Sequence, residues 1–279
     1  MKPAQFIAAL SVSAFLGALS VKPLRPKQSH RVTVDHVHVE LYYETMCPFC
    51  RRFIAESMLP LWQDSNFSGL VSFELIPFGN AMAIPLNGVS EGYKYWHQDM
   101  IDKDIRYVFE CQHMERECFG NAMHSCVMKY LPESIYLPFI ACMEADEHDS
   151  LEKSSYQCAE QHGLNMTDLE TIRSCTQGRE GSILLAMNGN RTSSLVEPAG
   201  PKKYMPWVVV DGRHNERAEQ DADKASGFLM EEVCLELKES VRPISCATHR
   251  AKSASAPTRD GRLCALAGLA LASALHFFL

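Results

Sequence analysis

The stretch Tyr42-Tyr43-Glu44-Thr45-Met46-Cys47-Pro48-Phe49-Cys50 decides how this chain is read. Just upstream, Val37, Val39, Leu41 and Tyr43 alternate with His36, His38, Glu40 and Tyr42. A period of two among β-branched and aromatic residues predicts a strand. Downstream, Phe53, Ile54, Met58, Leu61 and Trp62 recur at helical spacing, so the two cysteines fall where strand gives way to helix. A helix start presents unpaired backbone N–H groups and the positive end of the helix dipole. Both favour thiolate over thiol, and in such sites a cysteine pKa falls from about 8.5 to roughly 3.5–7.5. Pro48 suits the first helical turn, where its missing N–H costs nothing. Cys47 is therefore the candidate attacking thiolate and Cys50 the resolving thiol. Arg51 and Arg52 add positive potential there, or simply belong to a solvated face.

A C-x-x-C pair also occurs in zinc sites and as an inert structural bridge. Zinc would require a second C-x-x-C or an H-x-x-x-H at suitable distance, and neither is present. The redox reading predicts no metal and no cofactor, because the dithiol itself carries the electrons.

The rest of the chain points to an oxidising compartment. Eleven cysteines in 279 residues are many for a reducing one. Lys2 precedes an apolar run from Phe6 to Leu19, with small residues in Ala18-Leu19-Ser20; residues 1–20 have the order of a secretory signal. Three glycosylation sequons follow, at Asn66, Asn165 and Asn190. At the other end, Leu263 to Leu279 is apolar apart from Ser273 and His276. The polar segment 249–262 before it contains Ser253-Ala254-Ser255 and a short spacer. That is the order of a lipid-attachment (GPI) signal, with Ser253 as the attachment residue; a retained membrane span is the alternative, for which the run is short. Either predicts a membrane partner. The formal charge of -7 gives no sign of nucleic-acid binding, and 46% hydrophobic content is enough for a core. With both ends set aside, residues 30–248 suit one domain.

Within that domain, Leu70 to Ile76 predicts a second strand, ending at Pro77-Phe78-Gly79-Asn80. From about residue 91 to 187 the pattern is mostly helical. Were Cys111 to Cys126 one helix, Cys111 and Cys118 would be about 10.5 Å apart along the axis and Cys118 and Cys126 about 12 Å. A disulfide spans at most roughly 7 Å between α-carbons, so these cysteines are expected to staple the helix to other segments. Setting aside Cys47, Cys50 and Cys264 leaves Cys111, Cys118, Cys126, Cys142, Cys158, Cys175, Cys234 and Cys246, all expected in structural disulfides. Eight cysteines permit 105 pairings; Cys158 with Cys175 and Cys234 with Cys246 are plausible local ones. His113 and His124 are expected on a polar helix face rather than as metal ligands.

One further stretch, Tyr204-Met205-Pro206-Trp207-Val208-Val209-Val210-Asp211-Gly212, predicts a short buried strand closed by a turn. Pro206 before that strand suggests a cis peptide. In folds built on a thioredoxin core, such a proline lies against the dithiol and leaves the preceding backbone, here Met205, free to pair with a substrate chain. Proline as a plain strand-starter is the simpler reading.

Together these residues resemble the gamma-interferon-inducible lysosomal thiol reductase family. The likeness rests on Cys47-Pro48-Phe49-Cys50 after Leu41-Tyr42-Tyr43-Glu44, and on Cys111, Gln112, His113, Glu117, Cys118, Asn121 and Cys126. It also rests on Met205-Pro206-Trp207-Val208, and it runs from about Val37 to Cys246. It implies an α/β, thioredoxin-like fold with a disulfide-stapled helical insertion. It also implies reduction of disulfides in partly unfolded proteins, with a small thiol or a protein as electron donor, in the endolysosomal lumen or, given the apolar tail, at the cell surface. By that likeness Cys47 and Cys50 match the catalytic pair and Pro206 the cis-proline. Met114 replaces a glycine usual in the family, which suggests a more regular helix. Thioredoxin-type enzymes carry a buried acid six residues before the nucleophile; here that residue is Leu41, leaving Glu40, Glu44 or solvent to move protons. A disulfide oxidase or isomerase, and a stapled surface-binding module with an inactive dithiol, are the alternatives.

Overall fold

The computed structural model describes residues 33–92, 98–102, 104–145, 151–224 and 226–247. The anticipated signal segment, the Ser253 attachment site and the apolar tail lie outside these residues.

The alternating stretch forms β1 (Val37–Tyr43), whose odd-numbered side chains are fully buried. Cys47 then caps α1 (Pro48–Arg52), with Pro48 at its start. The helix runs on through a π-helical segment, Phe53–Met58, into α2 (Leu59–Gln63). Phe53, Ile54, Met58 and Leu61 face the core, as their spacing requires. β2 (Val71–Pro77) returns parallel to β1, with Val37 opposite Val71 and Tyr43 opposite Pro77. A separate antiparallel ribbon pairs β3 (Met82–Pro85) with β4 (Tyr107–Glu110), and the short α3 (Gln98–Asp102) lies between them in sequence. The segment read as mostly helical thus contains one strand. Five helices follow: α4 (Met114–Tyr130), α5 (Glu133–Ala145), α6 (Leu151–Gln161), α7 (Met166–Gln177) and α8 (Arg179–Ser193).

The chain then re-enters the main sheet. β5 (Trp207–Val210) is wholly buried and pairs antiparallel with β1; β6 (Arg213–His214) folds back on it. Asp211 and Gly212 both take positive φ, +46° and +73°, which a tight two-residue hairpin demands. The helices α9 (Glu216–Glu219) and α10 (Phe228–Glu236) close the domain. The sheet order is β2-β1-β5-β6. A dithiol helix leaving a central strand, followed by a parallel crossover and then an antiparallel hairpin, is the thioredoxin-like arrangement. The helical layer α4–α8 is inserted between the parallel and antiparallel halves.

Four disulfides staple this layer and the C-terminal segment. Cys126–Cys175 joins α4 to α7, Cys142–Cys158 joins α5 to α6, and Cys234–Cys246 ties α10 to the turn beyond it. Of the two local pairs anticipated, Cys234–Cys246 forms and Cys158–Cys175 does not, because Cys158 faces α5 and Cys175 faces α4. The fourth bridge corrects the expectation that Cys111 could not reach Cys118: the two are bonded, with α-carbons 5.6 Å apart. The premise of one continuous helix fails, since α4 begins only at Met114. Cys111 to His113 form a turn in which the Met114 N–H donates to the Cys111 carbonyl at 3.1 Å. In the chain-entropy view the 49-residue separation of Cys126–Cys175 is worth roughly 4 kcal/mol and the Cys111–Cys118 loop roughly 2. The short bridge therefore contributes more to the shape of the turn than to overall stability.

Met114 also departs from the regular helix expected there. It adopts φ +67°, a left-handed conformation that costs a side-chain-bearing residue roughly 1–2 kcal/mol, and its own side chain is exposed. Glycine takes this conformation without that cost but loses more chain entropy on folding. Met114→Gly is therefore expected to raise the unfolding free energy of the oxidised protein by roughly 0.5–1 kcal/mol. A guanidinium midpoint that moves upward at unchanged slope checks this; a lower midpoint contradicts it.

Candidate active site

Cys47 and Cys50 are both free thiols, and they are not equivalent. Cys50 is completely buried, whereas Cys47 retains 6% exposure and so is the member of the pair that solvent can reach. The Cys47 carbonyl accepts the Arg51 N–H at 3.0 Å, closing the first turn of α1. The Cys47 pKa is lowered to about 7. The Cys50 thiol, donating to its sulfur, contributes most; the backbone N–H groups of Cys50 and Phe49 add to this, against burial and the nearby Glu44. Burial, and then the interaction with Cys47, push the Cys50 thiol well above its ordinary value. One sulfur is thus prepared to be an anion and the other to remain protonated.

The loop leading to Cys47 is held by α4. The Thr45 N–H donates to Asn121 Oδ1 at 2.9 Å, and the Thr45 hydroxyl donates to the Glu117 carbonyl at 3.0 Å. Gly120 permits this approach, since a Cβ there would collide with the Thr45 side chain. Met46 follows with φ +71°, a conformation such a residue keeps only when its surroundings impose it. Glu44 is buried, its Oε2 accepts the Asn80 N–H at 2.9 Å, and a side chain at Gly79 would occupy its place. Burial raises the Glu44 pKa, opposed by the Asn80 N–H.

Glu44, His113 and Glu117 bring one potential ligand atom each to within 4.8 Å of one another, so they are the group among the described residues that could hold a cation. Glu117 Oε2 is already engaged by His113, through its N–H at 2.8 Å and Nδ1 at 2.7 Å. A cation would have to displace these bonds. His113 is thus part of the loop's support. His124 corrects the expected polar helix face outright: it is fully buried, and burial lowers its pKa to about 3.

The Met205–Pro206 peptide is cis. Met205 packs against the main apolar core, to which Cys47 and Cys50 also belong, and against the smaller cluster of Tyr42, Ile76, Trp207 and Val209. Glu219 organises this approach. Its Oε1 accepts the Val208 N–H at 2.8 Å, and its Oε2 accepts the Tyr204 hydroxyl at 2.9 Å. The His214 ring, bonded to the same carboxylate, stacks on Trp207. Phe49, next to Cys50, is 47% exposed and Tyr204 is 44% exposed, leaving apolar surface on both segments.

A model of the family described as gamma interferon inducible lysosomal thiol reductase (GILT) matches residues 38–162. A gamma-interferon-inducible lysosomal thiol reductase of Carassius auratus is 31% identical over 247 residues, covering 88% of this chain and 82% of that one. The chain belongs to the GILT family. The corresponding protein of Mus musculus is 29% identical, over 76% of this chain and 72% of its own. Among solved structures, the reduced form of DsbG from Mycobacterium tuberculosis covers 82% of this chain and 92% of its own at 14% identity and TM-score 0.47. BdbD from Bacillus subtilis covers 74% and 90% at 13% identity and TM-score 0.47. The fold assignment rests on sheet order and dithiol placement. As a GILT-family member the protein is a thiol-disulfide oxidoreductase, a thiol reductase by class.

The candidates for moving protons need correction in one case. Glu40 accepts the Tyr42 hydroxyl at 2.6 Å and Arg191 Nη2 at 2.9 Å. Strand alternation puts it on the face away from Leu41 and Tyr43, which belong with Cys47 and Cys50 to the main buried core. Glu44 is on the correct side. Of the three sequons, Asn66 and Asn165 lie exposed at a turn and a helix cap. Asn190 is also exposed but lies within α8, where Thr192 of its sequon is buried. Asn121, Thr45 and Gly120 were not legible as site residues; the signature contained Asn121, but its partner Thr45 is 76 residues away.

The rate of iodoacetamide modification should follow the thiolate of Cys47. It is expected to rise with pH through a midpoint near 7, with peptide mapping finding the label on Cys47 and not on Cys50. A midpoint near the ordinary thiol value, or equal labelling of both, contradicts the electrostatic account.

Proposed function

We propose that this GILT-family protein reduces disulfides of partly unfolded proteins in the lumen of the secretory or endolysosomal pathway, with Cys47 attacking and Cys50 resolving. The observation that carries this reading is the inequality of the two free thiols: the accessible one has the lowered pKa and the enclosed one the raised pKa. The Cys47 thiolate attacks one sulfur of a substrate disulfide, forms a mixed disulfide and releases the other sulfur as a thiolate. Cys50 then bonds to the Cys47 sulfur, the substrate leaves with the electron pair, and Cys47–Cys50 is left oxidised. A small thiol or a protein dithiol returns two electrons. Met205 and Pro206 form the seat for the substrate backbone, a role supported by their cis peptide ahead of β5.

The lowered pKa matters most in acid. At pH 5 a thiol of pKa about 7 is about 1% thiolate, against about 0.01% for one of pKa 9. That hundredfold difference keeps exchange feasible in an acidic lumen, where the four disulfides also suit the compartment. A net oxidase or isomerase would use the same atoms, and the reduction potential of the pair separates the two directions.

The test is reduction of a denatured, disulfide-bonded protein at pH 5 and pH 7 with a small thiol as donor. Cys47→Ser is expected to lower the rate at least about 100-fold at both pH values, because serine supplies no comparable nucleophile. A Cys47→Ser protein as fast as wild type would mean that the dithiol is inactive and the fold serves binding.

A further inference from the structure

Of the three sequons, the one at Asn190 stands in a setting unlike the others. The Asn66 and Asn165 side-chain amides donate to neighbouring carboxylates, Asp64 at 2.7 Å and Asp168 at 2.9 Å. The Asn190 side chain makes no hydrogen bond among the described residues. It forms part of the wall of a cavity of about 510 Å³ between α8 and the β3–β4 ribbon.

The walls of that cavity are fixed to one another. Ile183, Ala186, Met187 and Asn190 recur at i, i+3, i+4 and i+7, so one face of α8 makes one side. Leu86, which follows β3, and Tyr107 of β4 belong to the other. Between them, the Ser182 hydroxyl accepts the Tyr107 N–H at 3.1 Å and donates to the Tyr107 carbonyl at 3.2 Å. Arg191, next to Asn190, reaches the opposite way, to Glu40 at 2.9 Å and Glu74 at 2.6 Å, and so anchors the end of α8 on the sheet. Met187 is 60% exposed. The cavity thus presents apolar surface to solvent, with Asp104 and Arg106, 2.8 Å apart, among its polar lining.

We propose that Asn190 carries an N-linked glycan whose first N-acetylglucosamine lies in this cavity and covers its apolar wall. The inference rests on the reading that the chain passes through the lumen of the secretory pathway. The helix does not bar modification, because the glycan is transferred to the emerging chain before α8 forms. After folding it would be barred: Thr192 is buried, and its hydroxyl donates to the Asn188 carbonyl at 2.8 Å.

The occupant follows from covalent attachment. A sugar bonded to Asn190 Nδ2 begins at the cavity wall, and the tether makes its docking intramolecular, so that weak contacts suffice. The chemistry also matches. A pyranose has an apolar face of C–H groups, and the acetamido group adds a methyl; Met187, Ile183 and Tyr107 offer surface for both. The sugar hydroxyls find polar partners in Asn87 and Arg106. Small-ligand sites are of this kind, a few hundred Å³ of mainly apolar wall with a few polar groups that fix orientation.

The test uses the full chain made through the secretory pathway of cultured human cells. Native and denatured samples are treated with peptide-N-glycosidase in H2-18O, which marks each released asparagine as a labelled aspartate for mass-spectrometric mapping. In the native protein, release at Asn190 is expected at least about tenfold slower than at Asn66 or Asn165, and the difference should vanish on denaturation. Tyr107→Ala, which removes part of the wall, should bring native release at Asn190 close to that of the other two; if it does not fold, Met187→Ser, at an exposed position, replaces it. Glycan on Asn66 or Asn165 with Asn190 bare overturns the proposal. So does native release at Asn190 as fast as at the other sites, which would mean that the sugar projects into solvent. Release that stays slow in the folded wall variant overturns the cavity as its cause. No glycan on any of the three would overturn the lumenal reading itself, and this inference with it.

Discussion

The chemistry of this protein depends on one contrast: a partly accessible sulfur stabilised as an anion at a helix start, and a buried sulfur three residues later held as a thiol. Neither cysteine would behave this way alone. The Cys50 thiol stabilises the Cys47 anion, and that interaction in turn helps keep Cys50 protonated. The backbone N–H groups of the first turn complete the arrangement. β1 ends one loop away, and the segment leading into β5 brings Met205 against the same apolar core.

The inserted helices take part in this arrangement. Through Asn121, the Glu117 carbonyl and the close approach at Gly120, α4 fixes Thr45 two residues before Cys47. Disulfides join α4 to α7 and α5 to α6. The family signature thereby acquires a physical meaning. Its cysteines close the entry turn and staple the helix, its His113–Glu117 pair holds that turn, and its asparagine grips the redox loop. The same staples position α5, whose last turn accepts a hydrogen bond from Arg51 of the dithiol helix through the Glu144 carbonyl.

Much of this was readable in the sequence where the signal was local. The alternation before Tyr43, the cysteine pair at a strand–helix junction and the Asp211-Gly212 hairpin each declare themselves within ten residues. What could not be read depended on distant parts of the chain meeting. Thr45 meets Asn121, and Arg51 meets Glu144 93 residues away, with no periodicity to announce either contact. His124 reads as a polar residue in a helix because α4 is buried on every side from Gly120 to Val127 while its sequence stays polar. The Cys111–Cys118 bridge was excluded by a correct distance argument applied to a helix that starts three residues later than assumed. Met114, at φ +67°, is the left-handed residue at the end of this turn, a conformation no periodicity announces.

The central claim is that exchange with a substrate runs through the Cys47 sulfur, with Cys50 acting only afterwards. Incubating the Cys50→Ser protein with a denatured disulfide-bonded protein, then quenching in acid and mapping by mass spectrometry, tests this directly. The account predicts a stable mixed disulfide joining substrate to Cys47. No adduct, or an adduct on any of the eight cysteines paired in the fold, would contradict it.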